Sequence, residues 1–256
     1  MIRIKGRGAV YGEVWYQEEA PRGRCDVDIV VYRHRETAIA SARPIPLLSL
    51  VTDLGPDEEV LLRQFAQTCR QNIRQAETKD KLQFEVIASP RGRLGEFCEF
   101  YDAFARQKSL APSDRQWLDA VCRAHQLSLA LVHRDGEPLV WHAHLLSGKT
   151  VGLQFSASCF RNREDEYRAL IGRANRWLHW QEMLWFKQQG MERYDWGGLF
   201  VDDSTPERAG INGFKRSFGG RLEHTYDYAV PVTLRGRIYL PLRDAWRRWA
   251  GPAAGA

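Results

Sequence analysis

Several familiar sources of activity are missing from this chain of 256 residues. Gly-x-Ser-x-Gly does not occur, nor does a Walker lysine loop, nor Gly-x-Gly-x-x-Gly. These absences argue against a serine hydrolase, an NTPase and a Rossmann dehydrogenase. No apolar run approaches the roughly 20 residues of a membrane span. The start, Met-Ile-Arg-Ile-Lys-Gly-Arg, has basic residues without a following apolar stretch, which reads against a signal peptide. The five cysteines (Cys25, Cys69, Cys98, Cys122, Cys159) are scattered, odd in number and form no Cys-x-x-Cys pair. They read as reduced thiols of a cytoplasmic protein rather than a disulfide framework or metal ligands. There is no internal repeat, low-complexity tract or Gly/Ser-rich linker.

What is present is a large aromatic content, including nine tryptophans, and a mild basic excess of +5 from 37 basic and 32 acidic residues. The length suffices for a substantial core. The charge permits nucleic acid, nucleotide phosphates or peripheral contact with an anionic membrane surface, and requires none of them. Part of it is local: Arg235, Arg237, Arg243, Arg247 and Arg248 face only Asp244 near the C-terminus. A solvated basic end is the plainer reading there.

Periodicity predicts strands over 9–16, 27–32 and 47–51, with turns at Pro21-Arg22-Gly23 and Arg43-Pro44. Leu61, Leu62, Phe65, Cys69 and Ile73 predict one helix over 57–78, with acids in its first turn. Arg63, Arg70 and Arg74 then share a face, either solvated or phosphate-binding. Further strands are expected over 82–88, 127–133, 138–146, 150–156, 191–195 and 222–230. Further helices are expected over 95–107, after the Ser113-Asp114 cap, and over 170–189, 211–218 and 240–249. This mixed order predicts an α+β (mixed α/β) fold, with a central, largely antiparallel sheet flanked by helices. The expected organisation is a β-rich portion at 1–52, a main domain at 53–250 and a flexible tail at 251–256.

The densest cluster of candidate residues spans 194–220. Asp195 closes a short predicted strand and meets Gly197-Gly198, where the backbone can approach a ligand closely. Gly210 then opens a short predicted helix carrying Phe214, Lys215 and Phe218, which stops at Gly219-Gly220. Lys215, placed near that helix start, could hold a phosphate or stabilise negative charge. Elsewhere, His142 and His144 share one face of a strand. They read as sheet or pocket lining, or as partners of an amine. A metal would need a third ligand, and none is evident nearby.

Three segments together resemble a known family. Arg70-Gln71-Asn72-Ile73-Arg74-Gln75-Ala76-Glu77 is similar to the R-x-x-I-R-x-A-E helix end of the Fem-like aminoacyltransferases and their GNAT-fold relatives. Ala174-Asn175-Arg176-Trp177-Leu178-His179-Trp180 resembles their N-x-x-L-x-W helix. Tyr194-Asp195-Trp196-Gly197-Gly198 and Phe214-Lys215-Arg216-Ser217-Phe218-Gly219-Gly220 resemble their D-x-G-G and F-K-x-x-F-G-G signatures. The segments stand in family order across residues 50 to 230. The chain has room for one such domain where Fem proteins carry two, and it lacks a long coiled-coil arm.

The resemblance implies a GNAT-like, cofactor-free N-acyltransferase that joins an activated acyl group to an amine. Lys215 and Asp195 are then the expected catalytic pair. Gly197, Gly198, Asn175, Trp180, Phe214, Arg70, Arg74, His142 and His144 are the expected substrate-binding set. The donor is aminoacyl-tRNA or acyl-CoA, and the acceptor is an amine of a cell-envelope precursor or natural product. Acyl-CoA enzymes of this fold display a Q/R-x-x-G-x-G/A loop before a helix, where backbone N–H groups hold pyrophosphate. Here Arg168-Ala169-Leu170-Ile171-Gly172-Arg173-Ala174 keeps one of its glycines, which favours the tRNA donor. The alternatives are an acyl-CoA-dependent enzyme of polysaccharide or small-molecule biosynthesis, and a non-catalytic RNA- or nucleotide-binding module.

Overall fold

A computed structural model describes residues 1–20, 26–159 and 164–250, the last four of these by backbone only. Cys25, the Pro21-Arg22-Gly23 turn, the side chains of Arg247 and Arg248 and the expected tail at 251–256 lie outside the described residues. The chain divides into two compact units.

The first unit comprises 1–47, 114–124 and 224–256. Its strands are β1 (Ile2–Lys5), β2 (Val10–Trp15), β3 (Ile29–Arg35) and most of β10 (Arg221–Pro231), in the order β1-β2-β3-β10. The β2–β3 pair is parallel and the other two are antiparallel. Helix α4 (Arg115–Arg123) is capped by the Asp114 side chain, which accepts from the Trp117 N–H. Trp117 in turn donates its indole N–H to Glu13 at 2.8 Å. Glu13 also pairs with Arg33, which binds Asp227 at 2.6 Å. Helix α7 (Leu234–Ala250) begins six residues before the predicted start, because Thr233 supplies a cap by accepting from the Gly236 N–H.

The second unit comprises 48–113 and 125–223. Its strand order is β4-β9-β8-β7-β6-β5, formed by β4 (Ile45–Asp53), β5 (Gln83–Ile87), β6 (Leu127–Arg134), β7 (Glu137–Ser147), β8 (Thr150–Ser158) and β9 (Arg193–Gly198). Among the described residues of this unit, only β8–β9 pairs in parallel, over Thr150↔Arg193 to Gly152↔Asp195. The 24-residue helix α5 (Asp165–Gln188) makes that crossover, as parallel strands require. It starts earlier than the expected residue 170 and ends at Gly190, whose φ is 78°. The β6–β7 hairpin turns at Asp135-Gly136, both with positive φ, as a two-residue loop demands. Helix α3 (Leu94–Lys108) matches its aromatic periodicity.

The helix predicted over 57–78 is two helices, α1 (Glu58–Gln64) and α2 (Gln67–Lys79). Phe65 and Ala66 are extended between them. No glycine or proline marks the break. Tertiary contacts impose it: Phe65 packs edge-on against Trp180 and Phe218, and the Ala66 N–H donates to Ser217 O at 2.8 Å. Arg70 donates to Arg63 O and Phe65 O at 3.1 and 2.6 Å, satisfying carbonyls that the first helix leaves open. Arg63 and Arg70 therefore sit on different helices.

Helix α6 spans Pro206–Arg216, with Thr205 as N-cap and Pro206 in its first turn. The predicted start at Gly210 is thus corrected, because a capping threonine followed by proline is the stronger start signal. Lys215 falls in the last turn of α6 rather than near its start. The core of this unit lies between the sheet and α2 and α5, and includes Leu61, Phe65, Ile73, Leu178, Met183, Phe186, Tyr194, Trp196 and Phe218. Among the described residues no helix is long and apolar enough to cross a membrane.

The turn after α6 is closely fitted. Gly219 and Gly220 have φ of 71° and 92°, and a β-carbon there would stand 2.9 Å from Gln64 O and 2.7 Å from Val51 O. Gly213, within the helix, has nothing within 4 Å of such an atom. We expect Gly220→Ala to destabilise the protein by more than about 1 kcal/mol. Gly213→Ala should be neutral or stabilising by up to about 1 kcal/mol. Urea unfolding of both variants beside the parent checks this, and equal losses would contradict it.

Candidate active site

Strand alternation gives β7 and β9 two faces with different tasks. On β7, His142 and His144 point toward α5, while Trp141 packs on Phe97 of α3. On β9, Tyr194 and Trp196 point toward α5, as their ring contacts with His179 show. Asp195 and Gly197 belong to the opposite face.

The inward faces meet at Glu182 of α5, which is fully buried. One carboxylate oxygen accepts from His142 Nδ1 at 2.7 Å. The other accepts from the Tyr194 hydroxyl at 3.1 Å and lies 3.3 Å from His144 Nε2 and 3.4 Å from His179 Nδ1. Tyr194 OH is also within 3.0 Å of His179 Nδ1 and 3.2 Å of His144 Nε2. The amide oxygen of Asn175 faces His142 Nε2 at 3.0 Å. Each ring nitrogen of His142 thus lies within hydrogen-bond distance of a side-chain oxygen, Glu182 on one side and Asn175 on the other.

The electrostatics follow from this geometry. Burial alone would raise the Glu182 pKa, but His142 and His144 outweigh it and hold the carboxyl well below its usual range. Burial, then the nearby His142, pushes His179 down to about 3. Burial and the Glu182 charge push Tyr194 well above its usual value.

His142, His179 and Glu182 place ligand atoms within 4.8 Å of one another. This supplies the additional ligands that were not evident in the sequence. Nevertheless His142 bonds directly to the carboxylate, and the His142 and His179 rings stack with centroids 4.2 Å apart. In this arrangement the three side chains form a hydrogen-bonded and stacked cluster.

On the outer face, Asp195 is buried and its Oδ1 accepts from the Gly197 N–H at 2.7 Å. That bond fixes the local turn in which Gly197 has a φ of 74°. Lys215 reaches over from α6 and donates to Gly198 O at 2.7 Å. Partial burial lowers its pKa, and the Asp195 charge opposes the shift. Beyond Gly152 and Asp195, β8 and β9 no longer pair, and β8 carries an extra residue, Gln154, opposite β7. An ammonium, a buried carboxylate and a glycine-lined strand end therefore converge where the sheet opens.

Of the expected site residues, the structure brings together Lys215, Asp195, Gly197 and Gly198. Phe214 is half-buried nearby on α6, with the Arg176 guanidinium 4.8 Å from its ring centre. The others are placed differently. His142 and His144 are fully buried and engaged with Glu182, away from the Lys215–Gly198 contact. Trp180 packs on Phe65 in the core. Arg70 is spent on backbone carbonyls, and Arg74 is exposed on α2. Asn175 bonds His142. Asp195 is no strand end, since β9 continues through Gly198. Sequence reasoning missed His179, Glu182 and Tyr194. A signal existed: Asn175, His179 and Glu182 fall on one helical face with Phe186, so polar residues share the buried side of α5.

Residues 63–216 match the family model described as an acetyltransferase (GNAT) domain. The chain belongs to that family and is an acyltransferase. No curated protein matches it significantly. Among solved structures its fold is similar to FemX, with a TM-score of 0.58 and 16% identity over 76% of this chain and 63% of that one. The chain thus spans under two thirds of FemX. A C-terminal domain (DUF2156) from Agrobacterium fabrum, described as that of a lysylphosphatidylglycerol synthetase, gives 0.54 and 16% identity over 89% of this chain and 75% of that one. L-PGS from Bacillus licheniformis gives 0.51 and 15% identity over 84% and 72%. At these identities the likeness establishes the fold alone.

The buried cluster makes the fold acid-sensitive. His179 has a folded pKa of about 3 against an ordinary 6.5, so the unfolded chain gains a proton first as pH falls. Stability should decline from about pH 6.5 toward 3, at up to roughly 1.4 kcal/mol per pH unit. The depressed Glu182 carboxyl adds stability above its unfolded value, which is lost as pH falls through its folded pKa. Glu182→Gln should cost about 3–5 kcal/mol at neutral pH, because a buried partner is left uncompensated. Chemical denaturation across pH 3–8 measures both, and a flat profile would contradict the reading.

Proposed function

We propose that this chain transfers an aminoacyl group from aminoacyl-tRNA to an amine of a cell-envelope precursor or natural product, forming an amide. The observation that carries this reading is Lys215, an ammonium held at the strand end by Gly198 O and drawn toward Asp195. The acceptor nitrogen attacks the ester carbonyl, and negative charge builds on its oxygen. Lys215 stabilises that charge. The C–N bond forms as the C–O bond to the tRNA ribose breaks, and the amine proton passes to the departing oxygen. A donor of this kind contributes roughly 3 kcal/mol, or 10²–10³ in rate. Asp195, buried and bonded to Gly197, serves as the counter-charge that keeps Lys215 protonated and fixes the turn.

Two observations favour an aminoacyl donor over CoA. The segment with the single glycine of the CoA pattern, 168–174, lies inside α5 and forms no loop before a helix. The N-terminus of α5 carries Glu164, Asp165 and Glu166, charges that oppose a pyrophosphate at that helix end. Arg161 and Arg163 precede it, outside the described residues. The Agrobacterium fabrum neighbour's description names a lysyl-bearing lipid as its product, which is in keeping with aminoacyl transfer.

Incubation with labelled charged tRNA, and separately with labelled acetyl-CoA, in a bacterial small-molecule extract tests the donor. Label should move from tRNA alone; movement from CoA alone would support the acyl-CoA alternative instead. Lys215→Met should lower kcat by about 10²–10³ while the folded state persists. Because the Lys215 pKa is depressed, parental activity should fall at alkaline pH below the ordinary lysine value of 10.5. Lys215→Arg should move that alkaline limb upward. An unchanged limb would remove Lys215 from the chemistry.

A further inference from the structure

Helix α7 turns its apolar side outward. Leu234, Ile238, Leu242 and Trp246 are 75%, 58%, 65% and 64% exposed. Each follows the last by four residues, so together they form a continuous stripe of about 120° along the helix. Ala245 lies within the same arc and is exposed, and Val232 extends it before the first turn.

The helix is anchored by residues beside and behind the stripe. A β-carbon on Gly236 would stand 2.1 Å from Asp28 O, so the helix backbone lies directly on β3's approach. Tyr239 packs edge-on against Tyr11. Thr233 bonds Asp28 at 2.8 Å, and Arg235 bonds Gly8 O at 3.0 Å. The helix is therefore held in this orientation, and its apolar stripe is not a core face awaiting rotation.

Charge decides what fits the stripe. Residues 234–250 carry five arginines against one aspartate. Arg243 pairs with Asp244 and Arg235 with Asp28, while Arg237 is exposed beside the apolar arc. An apolar stripe with tryptophan on a helix of net positive charge, with Arg237 beside it, matches the boundary between acyl chains and anionic headgroups. A second copy of α7 would bring like charges together instead.

We propose that α7 is an interfacial helix that seats the protein on an anionic lipid surface, with Leu234, Ile238, Leu242 and Trp246 inserted and Arg237 against the headgroups. This attachment is independent of the acyl donor.

The full chain is mixed with vesicles of phosphatidylcholine alone, or of phosphatidylcholine with phosphatidylserine, and sedimented. Binding is expected only to the anionic vesicles and should weaken as salt rises. Ile238→Ser/Leu242→Ser should reduce it at least tenfold, and Arg237→Glu should also weaken it. Circular dichroism checks that each variant keeps its fold, which the exposure of these positions favours. Equal binding by the stripe variant, or none by the parent, would overturn the proposal. So would a parent dimer in analytical ultracentrifugation that this variant dissociates, because the stripe would then pair two copies.

Discussion

A carboxylate with no access to water governs the second unit. Glu182 cannot be hydrated, so its charge persists only while donors surround it. They come from three elements: His142 and His144 on β7, Tyr194 on β9 and His179 on α5 itself. A helix and two strands are thereby tied through one group. Dispersion around it adds to the restraint, with Trp196, Phe214 and Phe218 all close to the His179 ring. Replacing any one donor leaves the charge short of a partner, and the β9 backbone is what such a loss would disturb.

The same strand carries the candidate chemistry on its other side. Tyr194 and Trp196 commit β9 to the core, so period-two alternation directs Asp195 and Gly197 the other way. Gly197 adopts a conformation that side chains resist, and Asp195 holds it there with a single bond. Lys215 then closes onto Gly198 O from the last turn of α6. The tight Gly219-Gly220 turn and the Ala66–Ser217 bond set where α6 ends. Core and site are therefore coupled by geometry through the two faces of β9.

Much of this was legible from residue patterns. The β6–β7 hairpin followed from alternation flanking Asp135-Gly136, and α3 from its aromatic spacing. The three ordered motifs pointed to the GNAT fold, which the family match bears out. Other features were not legible, for physical reasons. The break at Phe65-Ala66 has no local cause; it arises from packing against Trp180, Phe218 and Ser217, which are distant in sequence. The Gly210 start was a misreading of available information, since Thr205-Pro206 carries the stronger signal. The histidines were correctly placed on one face, but their partner could be found only by projecting α5 onto a helical wheel. There Asn175, His179 and Glu182 form a polar seam within the otherwise apolar, buried face of α5.

The ionisation of Glu182 is the central point of this account, and carboxyl ¹³C NMR of the protein across pH measures it directly. The Glu182 signal should keep the chemical shift of a carboxylate down to the lowest pH at which the fold survives, below the ordinary glutamate range. A Glu182 carboxyl that is already protonated at neutral pH, or titrates at or above its ordinary value, would contradict it.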